Sequence, residues 1–136
     1  MNDSATMARL LDAIRTHLST HRLPVEIASV AVASTLLDGE HVTVHLRRVA
    51  LPVLAAALLE WADTLTHVTV TVWRPSDGRT VHLILTGQLA DGTVTEVYSG
   101  VDHTDALFGD LQPGGRHTVA LSILRRWAAD GSAVAA

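Results

Sequence analysis

The sequence predicts an α+β fold: one antiparallel sheet of five to six strands with about three helices, in the order α-β-β-α-β-β-β-(β)-α. Three observations lead there. The stretch Leu51-Pro-Val-Leu-Ala-Ala-Ala-Leu-Leu-Glu-Trp-Ala-Asp-Thr-Leu65 is apolar nearly all round, with only Glu60, Asp63 and Thr64 polar, as in a helix that is largely buried. Three alternating, β-branched segments follow it, joined by Asp77-Gly78 and Asp91-Gly92, so they read as a meander of antiparallel strands. A one-faced helix and two further strands precede it.

In chain order, Asp3 or Ser4 is placed to cap a first helix whose apolar residues Met7, Leu10, Leu11, Ile14 and Leu18 fall on one face. Arg9, Asp12, Arg15 and Ser19 then face water, and Pro24 stops the helix. His17, His21 and Arg22 sit near its end, where positive charge complements the helix dipole. The four-residue spacing of His17 and His21 also suits a metal ion, but no carboxylate or third histidine is adjacent in sequence, and the dipole reading is preferred.

Residues Val25 to Leu37 read as a strand with Val25, Ile27, Val30 and Val32 as its apolar members, and a slip between Ile27 and Val30 marks a bulge. Asp38-Gly39 turns the chain into His41–Leu46, where Val42, Val44 and Leu46 point inward and His41, Thr43 and His45 outward. Pro52 suits the first turn of the central helix, because its missing N–H would have no partner there. Beyond that helix, Val68, Val70 and Val72 form the inner face of a third strand, opposite His67, Thr69, Thr71 and Trp73. On the fourth strand Val81, Leu83 and Leu85 face inward and His82, Ile84 and Thr86 outward. In Val94–Gly100 two registers compete. One puts Glu96 inward with Val94 and Tyr98; the other puts Val97 there.

Segment 101–115 is mostly loop, with a turn of helix around Asp105 to Leu111 that Thr104 is placed to cap. His117 to Leu121 reads as a short last strand, although a helix fits the same residues. Ser122 then caps a helix from Ile123 to Ala129, ended by Gly131, in which Trp127 anchors to the body while Arg125 and Arg126 stay wet.

With 136 residues, the chain is expected to form a single domain, 1–136, frayed at 1–3 and 131–136. A formal charge of −4 lacks the basic surplus that phosphate contacts demand, so nucleic acid is not an expected partner. No apolar run reaches membrane-spanning length and no leader opens the chain, so a cytoplasmic location is expected, with no membrane. Cysteine is absent, which removes thiol chemistry. All ten basic residues are arginines, which removes Schiff-base chemistry, and such a composition is what a GC-rich genome encodes.

The densest polar cluster is Asp102-His103-Thr104-Asp105 with Asp110 nearby. Asp102, His103 and Asp105 are the candidate metal ligands or general base, against the plainer reading of a capped, solvated loop. Trp73 and His82 become cross-strand neighbours if Asp77-Gly78 is the tight turn. With Tyr98 and Glu96 they are the candidate lining of a pocket, or else they pack beneath a helix or a partner. Pro113-Gly-Gly-Arg116 is no phosphate loop, and no G-x-S-x-G occurs. Eight histidines are scattered over nearly every element, without the cluster that a pH switch needs.

The stretches Trp61-Ala-Asp-Thr-Leu-Thr66, Val81-His-Leu83 with Thr86-Gly87, and Glu96-Val-Tyr98 with Gly100-Val101 resemble a set of small uncharacterised proteins from high-GC actinobacteria. The resemblance covers the middle and C-terminal parts of the chain, and it implies neither an activity nor site residues. The element order alone is similar to that of roadblock-type regulatory domains.

The first expectation is a non-enzymatic interaction or regulatory module without cofactor, acting as a homodimer. The rival is a small-molecule-binding protein or enzyme with a pocket at Trp73, His82 and Tyr98. The preferred dimer surface is the central helix, through Val53, Ala56, Ala57 and Leu59. A single sheet face buries only one stripe of that helix, which leaves these residues to be covered; sheet edge against sheet edge is the second option.

Overall fold

A computed structural model describes residues 3–135, with side chains to residue 130. Among the described residues there are four helices and six strands: α1 (Asp3–Thr20), β1 (Ile27–Thr35), β2 (Gly39–Leu46), α2 (Leu51–Ala62), β3 (Thr66–Trp73), β4 (Thr80–Gln88), β5 (Val94–Asp102), α3 (Asp105–Phe108), β6 (Arg116–Val119) and α4 (Leu121–Ala135). The strands form one sheet in the order β1-β2-β5-β4-β3-β6. The fold is α+β as expected, with one correction. The sheet is mixed, because β2 runs parallel to β5 from His41↔Val94 to His45↔Tyr98.

The cause is the single helix between β2 and β3. A helix that packs back along a sheet returns the chain to the end it left, so the next strand runs the same way as the last. β3 is therefore parallel to β2. The meander β3-β4-β5 then gives β5 that direction too, so β2 meets either outer strand of the meander in parallel.

Alternation decides which side of each strand is buried. Val42, Val44 and Leu46, Val70 and Val72, Val81, Leu83 and Leu85, and Val97 and Val101 form one apolar face. Helices α1, α2 and α4 cover it, with α2 over β4 and β5, α1 over β1 and β2, and α4 against α2. The open register of β5 is settled in favour of Val97. Thr95 and Ser99 accompany it inward, both fully buried, and Glu96 and Tyr98 face out. The helix α2 is as buried as its composition implies: Leu54, Ala55, Ala57, Leu58 and Trp61 are almost wholly enclosed.

The bulge in β1 is present, between Ile27 and Ser29. A second lies between Thr66 and Thr69 in β3, where His67 takes a left-handed φ of 54° that the sequence did not signal. β1 is shorter than Val25–Leu37. Leu36 and Leu37 belong to the hairpin tip and are fully exposed, because Gly39, at φ 69°, closes the turn only after them. Segment 116–119 is a strand, paired with β3. Thr104 stands at the N-cap of α3 without a side-chain cap bond, and Ser122 lies within the first turn of α4 instead of capping it. Gly131 does not end α4, which continues to Ala135; a single glycine costs an α-helix only about 1 kcal/mol. The backbone is thus helical at Asp3 and over 131–135, and the rest of the expectation of frayed ends falls on residues 1, 2 and 136, outside the described residues.

Candidate binding surface

All the packed helices lie on one side of the sheet, which leaves its other face open. That face carries Trp73 from β3, His82 and Ile84 from β4, Glu96 and Tyr98 from β5, and His41 and His45 from β2, each half-buried. Trp73 and His82 are direct cross-strand partners, as the turn at Asp77-Gly78 predicts, with ring centroids 5.3 Å apart. Among the described residues no helix lies over them.

The pair belongs to a longer row. His82 stands 5.8 Å from the ring of Tyr98, and Tyr98 stacks on His45 at 4.7 Å with the planes only 4° apart. At the far end the Arg116 guanidinium lies 5.6 Å from the Trp73 ring centroid, within cation–π range. Arg116, Trp73, His82, Tyr98 and His45 thus form a ladder across five strands, spanning roughly 19 Å at the spacing of adjacent strands. Gly100 makes the ladder continuous, because it faces His82 across β4 and β5 and has no side chain to separate His82 from Tyr98.

The imidazole of His82 is held below its usual pKa, chiefly by burial, then by His45 and Arg48, with Asp77 opposing. It is therefore neutral at neutral pH. Arg116 supplies the row's cation, and Glu96, between Thr43 and Thr86, supplies a carboxylate. Around them the face is threonine, alanine and serine. Such a surface is suited to stacking and hydrogen bonding.

The loop cluster is not assembled into a site. Asp102 is at the end of β5, 2.5 Å from the guanidinium of Arg48, and largely exposed. His103 directs its Nε2 to the Phe108 carbonyl at 3.3 Å, and Asp105 opens the single turn α3 on the surface. Among the described residues, no three His, Asp or Glu side chains are grouped as a metal site. Of the central-helix candidates, Val53 and Ala56 are exposed, Leu59 is half-buried and Ala57 is enclosed, since α4 packs alongside.

Sequence reasoning missed two things here. His45 and Arg116 were not connected to Trp73, because the order of β2, β5 and β6 in the sheet was unknown. His17 was assigned to a solvated helix end, yet it is buried, stacked on Trp61 at 5.7 Å and bonded through Nε2 to Thr64 Oγ1 at 2.9 Å. Thr64 donates its own hydroxyl proton to the Trp61 carbonyl, so the histidine is the donor and its Nε2 carries hydrogen. His17 and His21, 4.5 Å apart, line a groove of about 370 Å³ between α1 and the β4–β5 turn, together with Arg9, Asp12 and Asp91.

Burial, reinforced by His21, lowers the pKa of His17 from 6.5. Above pH 6.5 both the folded and the unfolded imidazole are neutral and its contribution to stability is complete. As the pH falls below that value, the unfolded chain takes up the proton first, so stability drops until the lowered folded pKa is passed. His82 acts with the same sign. Urea midpoints should therefore fall between about pH 8 and about pH 5, and His17→Gln should flatten part of that slope. An identical slope in the variant would remove His17 from the account.

Compared with protein-family models, curated proteins and solved structures, the chain matched none.

Proposed function

We propose that the protein is a non-enzymatic binding module whose working surface is the open face of its sheet, and that its ligand is another polypeptide. The observation that carries this reading is the ladder of Arg116, Trp73, His82, Tyr98 and His45 on a face that no helix covers. Tryptophan, tyrosine and arginine dominate the energetics of protein interfaces, because each offers a large stiff surface with a polar handle. Here one of each stands in a single row. Six strands and three to four outward rows give a platform on the order of 600 Å², close to the roughly 800 Å² per partner of an ordinary interface.

Two other ligand classes fit less well. Rings on an open sheet also stack nucleic-acid bases, but that use needs a basic surround for phosphates, and this chain has a net charge of −4. A metabolite needs a concave site that buries most of it, whereas this face is a sheet surface with half-exposed side chains.

The test combines affinity capture with thermal shift. A protein held by the wild type from extracts of the source organism should be lost with Trp73→Ala/Tyr98→Ala, a variant that keeps the far-UV spectrum and melting temperature. The expected loss is at least about 2 kcal/mol, or roughly thirtyfold in affinity. Equal capture by the variant would remove the ladder from the interface. A dose-dependent stabilisation by a metabolite, a divalent metal or a single-stranded oligonucleotide, abolished by the same variant, would replace the reading altogether.

A further inference from the structure

The two edges of the sheet are unlike. β6 has four residues, whereas β1 has nine, Ile27-Ala-Ser-Val-Ala-Val-Ala-Ser-Thr35, and among the described residues its only neighbour is β2. This edge contains no charge, no proline and no glycine. Sheet edges are ordinarily protected by such residues, by being short or by a covering helix, because a row of unpaired N–H and C=O groups is a template for another strand. β1 has none of these, and its one irregularity, the bulge between Ile27 and Ser29, lies at one end and leaves 29–35, about 23 Å of backbone, as a regular edge.

Apolar surface concentrates at the same edge. Among the described residues seven large hydrophobic side chains are exposed, and four of them are here: Leu11 at 50%, Val30 at 36%, Leu36 at 106% and Leu37 at 96%. Leu11 and Val30, with Ile14 and Leu18, line an open trough between α1 and β1. Leu36 and Leu37 project from the hairpin tip at the strand's end.

We infer that a second copy of the chain adds to this edge, β1 against β1 in antiparallel fashion about a two-fold axis near Ala31, so that two sheets become one of twelve strands. A two-fold at Ala31 sets Val30 opposite Val32 of the other copy, a pairing of β-branched residues that stabilises antiparallel strands. It brings the two α1–β1 troughs together, covering Leu11 and Val30. The hairpin leucines then reach past the strand to the half-buried Leu23-Pro24-Val25 link of the other copy.

Charge agrees with this choice of occupant. The strand brings no like charges together. At its ends the link with exposed Arg22 and Arg47, of which Arg47 is paired at 2.8 Å with Glu26, meets the tip that carries Asp38, and Glu40 at that tip is already paired with Arg9. The two-fold closes the assembly, since each copy has one such edge. Its axis is perpendicular to the sheet, so both open faces lie on the same side and the ladders of the two copies form one extended surface. The inference is independent of the binding reading above.

The experiment is sedimentation and light scattering of the full chain at about 50 μM, where weak dimers populate. The wild type should run at twice the chain mass of 14.5 kDa, near 29 kDa. Ala31→Lys sets two like charges opposite each other at the axis, and Leu11→Glu charges the trough. Both positions are exposed, so each variant should keep the wild-type spectrum and become a monomer. Val53→Glu on α2 and the Trp73→Ala/Tyr98→Ala variant should remain dimers, which separates failure of this inference from failure of the ladder. A monomeric wild type, an assembly larger than a dimer, or a dimer that survives Ala31→Lys and dissociates with Val53→Glu would each overturn it. Amide exchange over 27–35 gives a second reading: protection should rise with protein concentration, and constant protection contradicts the pairing.

Discussion

Replacing Trp61 with alanine should destabilise the fold by about 3–5 kcal/mol, lowering the melting temperature by roughly 10–20 °C. Trp61 is fully enclosed in the last turn of α2 and carries the largest wholly buried side chain among the described residues. Its ring stacks on His17 of α1, and its carbonyl accepts the Thr64 hydroxyl that in turn accepts from His17. One residue thereby joins α2 to α1, and alanine leaves a cavity in which neither helix has a partner. The indole Nε1 has no hydrogen-bond acceptor. Phenylalanine removes that unsatisfied donor while keeping most of the apolar surface, so Trp61→Phe should cost less than about 2 kcal/mol. Urea unfolding of both variants checks the order. A phenylalanine variant as unstable as the alanine one would mean that the indole nitrogen finds an acceptor.

The helix that carries Trp61 was legible because its composition leaves no wet stripe, and the meander because Asp-Gly turns separate three alternating segments. The parallel pairing of β2 with β5 was also implied, although it was not drawn. Once one helix joins β2 to β3, both outer strands of the meander run parallel to β2, whichever of them it meets. Glu96 was beyond reach for a different reason. Val94, Val97 and Tyr98 are all apolar enough to be inside, and what selects Val97 is the pairing of β5 with β4 and β2, which is non-local. The same holds for the ladder. Alternation placed Trp73, His82 and His45 on the outer side of their strands, but only the strand order brings Tyr98 between His82 and His45. His17 failed because a dipole argument treats a helix end as solvated, whereas Trp61 arrives there from α2 and covers it.

Trp127→Ala should be nearly as costly, again about 3–5 kcal/mol, and its effect should depend on Phe108. The 3.6-residue period of α4 turns Leu124 and Trp127 inward, where Trp127 is 7% exposed, and leaves Arg125 and Arg126 in water. Its indole meets Phe108 of α3 edge-on, with centroids 5.5 Å apart and planes at 67°, an arrangement that places the positive ring edge on the negative ring face. α3 is a single turn and cannot be stable alone, so this contact, the His103 N–H donated to the Arg79 carbonyl at 2.8 Å and the Arg74 Nη1 donated to the Leu111 carbonyl at 2.7 Å hold 103–111 against the body. Removing Trp127 therefore loosens that loop as well as α4, although its bonds to Arg74 and Arg79 remain. In a double-mutant cycle with Phe108→Ala, the coupling should be about 0.5–1.5 kcal/mol, whereas Trp127 with Trp61 should be close to additive if the two sites share no partner. Thermal melts of the three single and two double variants decide it. If Trp127→Ala melts within a degree of the wild type, α4 is a loose appendage, and α2 owes its burial to the sheet and α1 alone.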